Sequence, residues 1–283
     1  MKFKKRLWKK VSSIVLVAIL AISVTGCGKS VSTSADASNV TVVKVGTGNG
    51  MPPFCSLDAN GKAVGYDVDV LKEIDNRLAD YQFDIQSLDF TTLLVSLDSG
   101  ALDVVSHQLV KSDVRKTKYL FPDQYYCLSP LSLAVKTDSG IKTLADLKGK
   151  SINESPSSYE YSLLTSYNQK TLGNTLKINA VSDLSTADNF KQVANGQVDA
   201  ALTYQSTYKS VQADLKIDNI KLTDTVLVED TYIMLAKGQE KLTAAINQAL
   251  KDMLSDGTLA TIAKKNLSED VFANYTSLIQ TTN

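Results

Sequence analysis

The sequence predicts an α/β protein with a largely parallel sheet arranged as two similar lobes. Strand and helix signals alternate from Val40 onward, which is the pattern of helices packed on parallel strands. A helix–glycine–strand pattern around Gly100 returns around Gly196, and the C-terminal region carries helical periodicity throughout. A chain of 283 residues, 43% of them hydrophobic, is long enough to bury cores of that size.

The first segment is a targeting signal, not part of the fold. Lys2, Lys4, Lys5, Arg6, Lys9 and Lys10 precede an apolar run from Val11 to Val24, shorter than the roughly 20 residues of a spanning helix. It ends in Val24-Thr25-Gly26-Cys27, which resembles a bacterial lipobox, so residues 1–26 read as a lipoprotein signal and Cys27 as the lipidated residue. Two acyl chains give stable anchoring at about 0.8 kcal/mol per buried methylene. Residues 27–39 are small and polar and read as a flexible tether.

Then "VTVVKVGTG", Val40 to Gly48, reads as a buried strand leaving through a glycine turn. Asn60-Gly61 marks a turn, and Val70, Leu71, Ile74 and Leu78 share one helical face. A strand at Phe83 to Ile85, a helix through Leu93, Leu94 and Leu97, and a strand at Ala101 to Val105 follow. In the echo, Leu94, Leu97, Gly100, Leu102 and Asp103 are answered by Phe190, Val193, Gly196, Val198 and Asp199. Each copy reads as an amphipathic helix stopped by a glycine and followed by a short strand. Leu242, Ile246, Leu250, Met253 and Leu254 form a helical core face, broken at Asp256-Gly257 and resumed by Leu259 and Ile262.

Charge and cysteines exclude several functions. The chain has 30 basic and 30 acidic residues; six of the basic ones lie in the signal, leaving 24 against 30. A mildly acidic domain lacks the lysine and arginine surplus on which nucleic-acid affinity rests. Beyond Cys27 only Cys55 and Cys127 remain; an oxidising exterior permits a disulfide between them, and two buried free thiols are also compatible. No cysteine or histidine spacing indicates a metal, and no cofactor motif is present. There is no nucleophile elbow, P-loop or dinucleotide fingerprint, so an enzyme is not expected, although carboxylate catalysis has residues to draw on.

Several segments in order, "VKVGTGNGMPPFCSLDANGKAVGYDVDVLKEI", "DFTTLLVSLDSGALDVVSHQLVKSDVRKTKYLFPDQYY", "TLADLKGKSI", "GQVDAAL" and "ALKDMLSDGTLATIAKKNL", resemble the extracytoplasmic solute-binding proteins of polar amino-acid ABC importers. The resemblance covers nearly all of the chain after the tether. It implies a type II fold, two α/β lobes joined by two hinge strands with a ligand cleft between them. Lobe one would comprise residues 40–130 and 230–283, and lobe two residues 131–229. It implies a monomer, anchored on the outer face of the membrane, that closes on an amino acid and hands it to a permease. "HQLVKSDVRKTKYLF" is similar to cystine-binding members, which makes cystine the expected ligand. An enzyme on the same fold, of the dehydratase type, and a sensory lobe without a transport partner are the alternatives.

The same resemblance assigns site residues. Arg115 is expected to clamp the ligand carboxylate, because a guanidinium offers paired donors in a fork that fits it. Lys111, Lys116 and Lys118 are expected to be solvated, and His107 is given no catalytic role. Gln108 is expected as a polar neighbour of the ligand, with Phe90 and Met51 as walls gripping its side chain. Ser157, Ser158, Tyr159 and Glu160 would close on it from lobe two with a helix N-terminus. Many members place an acid for the ligand ammonium after the "VDAAL" strand or in the first glycine turn; here those places hold Tyr204 and Gly48. Either Glu160 substitutes or the ligand is not a conventional α-amino acid.

Overall fold

The computed structural model describes residues 40–278. The signal segment 1–26, Cys27 and the tether 27–39 lie outside the described residues. In chain order the elements are β1 (Thr41–Thr47), β2 (Gly50–Met51), β3 (Cys55–Leu57), β4 (Ala63–Val64), α1 (Tyr66–Arg77), β5 (Tyr81–Ser87), α2 (Phe90–Asp98), β6 (Val104–Val110), α3 (Asp113–Lys118) and β7 (Cys127–Lys136). There follow β8 (Ser151–Glu154), α4 (Tyr159–Tyr167), β9 (Lys177–Ala180), α5 (Thr186–Ala194), β10 (Ala200–Tyr204), α6 (Gln205–Leu215), β11 (Ile220–Leu222) and β12 (Leu227–Leu235). The chain closes with α7 (Glu240–Ser255), α8 (Thr258–Leu267) and α9 (Val271–Tyr275). Among the described residues no helix is long and apolar enough to cross a membrane.

One sheet runs in the order β5-β1-β6-β12-β7-β10-β8-β9, with β11 paired to β7. The expectation of a largely parallel sheet is met only in its outer parts. β5, β1 and β6 are parallel, as are β10, β8 and β9, but β6–β12, β12–β7, β7–β10 and β7–β11 are antiparallel. The long strands β7 and β12 create the difference, since each runs antiparallel to every strand it pairs with. β7 pairs with β12 over Cys127–Leu131 and with β10 from Leu131 onward, so it changes partner at Leu131. Nine of its ten residues are buried, which is why it reads as a near-continuous run and hides its antiparallel pairing.

Each outer part carries helices on both faces. On the β1 side, Val45, Leu71, Ile74, Ile246, Leu250 and Met253 form one core, and Leu93, Leu97, Leu102 and Val105 form another. On the β8 side, Leu133 and Val135 join Ile152 and Leu164, while Ala134 joins Phe190, Val193 and Val211. Successive residues of β7 thus serve opposite faces, as the pleat dictates.

The echo has a structural counterpart. Gly100 and Gly196 take φ of 74° and 70° just after α2 and α5, the left-handed turn for which glycine carries no Cβ penalty. Asp103 accepts from the Lys44 backbone N–H at 2.9 Å, and Asp199 accepts from that of Ser151 at 2.8 Å. Each aspartate therefore ties the start of its strand to the neighbouring parallel strand.

The strand expected at Ala101 to Val105 is shifted. It begins at Val104 and runs to Val110, so the "SHQLV" stretch is strand. Opposite it, Val105 pairs with Met234 and Leu109 with Tyr232, so Ser106, His107 and Gln108 face the single residue Ile233. This bulge puts Gln108 at φ 47°, a costly conformation for a side-chain-bearing residue.

Candidate functional site

A cleft of about 320 Å³ lies where the carboxyl ends of β6, β8 and β10 converge, the usual place for a ligand crevice in an open α/β sheet. Asn49, Met51 and Phe90 border it on the β1 side, with the β6 bulge and Arg115. Glu154, Ser158, Tyr159, Glu160, Asp183 and Tyr204 border it on the β8 side. Two polar contacts cross it: Arg115 Nη2 donates to the Ser157 carbonyl at 3.3 Å, and Thr91 donates to Asp183 at 2.9 Å.

Arg115 is placed by the turn from β6 into α3, whose N-cap Ser112 accepts from the Arg115 backbone N–H at 3.3 Å. Its Nη1 donates to the Val110 carbonyl at 3.1 Å. The remaining guanidinium donors have no acceptor among the described residues, which leaves a fork for an anion. Burial presses its pKa down, while Glu160, Tyr204 and Glu229 push it up. Lys116 is exposed and paired with Asp113 at 2.8 Å, and Lys111 donates to the Pro122 carbonyl at 3.2 Å; neither lines the cleft.

Gln108 borders the cleft, but its side chain does not face an open site. Its Nε2 donates to Asp67 at 2.6 Å and Tyr126 at 3.1 Å, and its Oε1 accepts from Ser129 at 2.8 Å and Thr231 at 3.0 Å. Its backbone N–H donates to the Tyr126 hydroxyl at 3.0 Å. These bonds hold the bulge in its strained conformation. Gln108 thus borders the cleft as expected of a polar neighbour, and its side-chain amide is engaged in anchoring β6.

Phe90 and Met51 border the cleft, with the Phe90 ring centroid 5.0 Å from that of His107. Of the expected closing loop, Ser158, Tyr159 and Glu160 line the cleft, whereas Ser157 contributes its carbonyl to Arg115 from beside it. The Ser158 hydroxyl caps α4 by accepting from Tyr161 N–H at 3.0 Å, and donates to Glu154 at 3.0 Å. It is a cap that also fixes an acid.

Tyr204 stands at the end of β10 between two carboxyl groups, with its hydroxyl 3.2 Å from Glu160 and 2.9 Å from Glu229. One phenol has one proton to donate, so it cannot satisfy both. Glu229, on β12, is 3% exposed and its Oε1 has no partner among the described residues. Burial, then Glu160, holds its pKa well above the usual carboxylate range. Burial and Glu160 likewise raise Glu154 to about 8. An arginine on one side and the Glu154 and Glu160 carboxyls on the other, with Glu229 buried behind Tyr204, suit a ligand bearing both a carboxylate and an ammonium.

Sequence reading missed Glu154, Glu229 and the surroundings of His107. Glu229 had a signal, an acid inside the apolar run "VLVED". His107 borders the cleft with Nδ1 3.1 Å from the Sγ of buried Cys55, and burial, then Arg115, lowers its pKa to about 4. Cys55 and Cys127 are both free thiols, which decides between the two readings left open above.

Residues 43–269 match the model of the bacterial extracellular solute-binding proteins, family 3. The chain is 32% identical to the L-cystine-binding protein TcyK of Bacillus subtilis over 262 residues, covering 91% of this chain and 95% of that one. It is 30% identical to the L-cystine-binding protein TcyJ of the same organism, covering 93% and 96%. A solved structure from work on glutathione import through GshT and the cystine ABC importer TcyBC of Streptococcus mutans superposes with a TM-score of 0.75 at 26% identity, covering 82% of this chain and 96% of that one. The mixed sheet with helices on both faces is thus the type II binding-protein fold.

Proposed function

The chain belongs to the bacterial extracellular solute-binding proteins of family 3, and we propose that it captures an amino acid outside the membrane and delivers it to an ABC permease. Cystine is the ligand this reading favours, on the strength of the two cystine-binding relatives. The observation that carries it is the polarity of the cleft, with the free donors of Arg115 facing Glu154 and Glu160 across it. In this reading Arg115 holds a ligand carboxylate and the Glu154, Glu160 and Tyr204 group takes the ammonium. Met51, Phe90 and Tyr159 grip the side chain.

Lobe one comprises residues 40–130 and 230–283, lobe two residues 131–229, and β7 and β12 serve as the hinge strands. The partner change of β7 at Leu131 supports that division. Hinge closure of this kind is a two-state transition biased by the ligand. Residues 1–26 serve as the signal and Cys27 as the lipid attachment point, which places a monomeric receptor on the outer face of the membrane.

Titration of cystine and a panel of amino acids, read by calorimetry and thermal shift, tests the assignment. A ligand at 100 times its Kd stabilises the fold by about 2.7 kcal/mol. Saturable one-to-one binding of cystine, recovered unchanged, is the expected result. Silence across the whole panel overturns the amino-acid reading.

A further inference from the structure

Behind the cleft wall, three chemically reactive side chains meet that no spacing in the sequence connects. Cys55 comes from β3, Asp67 from the first turn of α1 and His107 from the bulge of β6. One potential ligand atom from each lies within 4.8 Å of the other two. Cys55 and Asp67 are 0% exposed, and His107 borders the cleft.

Asp67 is oriented as an outer shell orients a metal ligand. Its Oδ1 accepts from Gln108 at 2.6 Å and from Tyr126 at 3.0 Å. Its Oδ2 is buried and has no hydrogen-bond partner among the described residues. A fully buried carboxylate oxygen without a partner is costly unless a proton or a cation meets it.

The backbone closes tightly on the same spot. A Cβ on Gly48 would stand 2.5 Å from His107 Nδ1 and 2.6 Å from Cys55 Sγ. Gly48 therefore packs directly against the Cys55–His107 pair, and a side chain at this turn would displace one of the two.

We propose that Cys55, Asp67 and His107 form a binding site for a divalent cation of the zinc class, reached from the cleft. The donor set is one sulfur, one nitrogen and one oxygen, a mixture that suits zinc and disfavours calcium or magnesium. Tetrahedral zinc with its usual bond lengths spaces sulfur from nitrogen by about 3.6 Å. The Cys55 Sγ to His107 Nδ1 separation of 3.1 Å is short of that by an amount small side-chain rotations supply. Thiolate and carboxylate together neutralise a dication, and the thiol releases its proton to solvent on binding. Three protein ligands leave a fourth position for water or a bound solute.

The site is tested by titrating the Cys27→Ser chain, whose remaining thiols are Cys55 and Cys127, with Co²⁺ and then Zn²⁺ in the absence of any amino acid. One Co²⁺ per chain with a near-ultraviolet sulfur-to-cobalt absorption band, displaced by one equivalent of Zn²⁺, is expected. Cys55→Ser removes the band, Cys127→Ser leaves it, and His107→Ala weakens Zn²⁺ binding roughly tenfold or more. Gly48→Ala, which changes no ligand, weakens it as well. Absence of the band in the parent chain overturns the proposal, and that reading requires no variant to fold. A band that survives Cys55→Ser, or that is lost with Cys127→Ser, overturns it too.

Discussion

Replacing Gln108 by alanine separates a structural anchor from a ligand contact. The side chain makes four hydrogen bonds, to Asp67, Tyr126, Ser129 and Thr231, in a region where Gln108 is 4% exposed. Truncation leaves Asp67 its bond from Tyr126 at 3.0 Å, and leaves Ser129 only a 3.5 Å contact with the sulfur of Cys127. The Thr231 hydroxyl is left with no partner among the described residues. A buried polar group stripped of its partner costs about 1–3 kcal/mol, so two such losses and a cavity come to about 3–5 kcal/mol. For a domain of this size that lowers Tm by on the order of 10 °C. The assay is urea and thermal unfolding of the ligand-free protein, with affinity measured separately at a temperature where the variant is folded. A loss below about 1 kcal/mol, alongside a large loss of affinity, would falsify the anchoring role and return Gln108 to the ligand.

Arg115→Ala gives the opposite signature. The guanidinium sits on the short, largely exposed helix α3 and touches two carbonyls, so stability changes by about 1 kcal/mol or less. Losing a forked charge-assisted contact weakens amino-acid binding by about 3 kcal/mol, roughly a hundredfold in Kd by calorimetry; a change under threefold removes the clamp role. Glu154 is raised from 4.5 to about 8 by burial and by Glu160. The folded chain therefore keeps a proton that the unfolded chain has lost. Stability conferred by that proton is complete below 4.5 and falls as pH rises through the window to about 8. Glu154→Gln flattens the slope between pH 5 and 8 in urea midpoints, and parallel slopes for variant and parent refute the assignment.

Much of the architecture was legible because it rests on local rules. The helix–Gly–strand echo was readable since only glycine takes the left-handed turn after a helix without penalty, and Gly100 and Gly196 both do so. The aspartate three residues after each glycine was visible as a coincidence of type, but its bond to the adjacent strand start was not. The antiparallel centre was hidden because burial on both faces makes β7 read like any parallel strand. The strand at "SHQLV" was misplaced because a bulge carries no periodicity of its own.

At the site the division is similar. Arg115 was readable from the "KSDVR" motif and lies on the cleft, and so do Phe90, Met51, Ser158, Tyr159, Glu160 and Tyr204. What a side chain does there depended on partners distant in the chain. Gln108 is committed to Asp67, Ser129 and Thr231, and Ser158 caps its own helix.

The sequence alone determined the alternation of elements, the helix ends and the residue types a zwitterion needs, because these follow from periodicity, backbone freedom and charge. Tertiary structure decided which polar groups are free and which are spent. A hydrogen bond or a carboxyl crowding forms between atoms within a few ångströms, and Cys55, Asp67 and His107, or Glu154, Glu160 and Glu229, come within that range only when separate strands and helices converge.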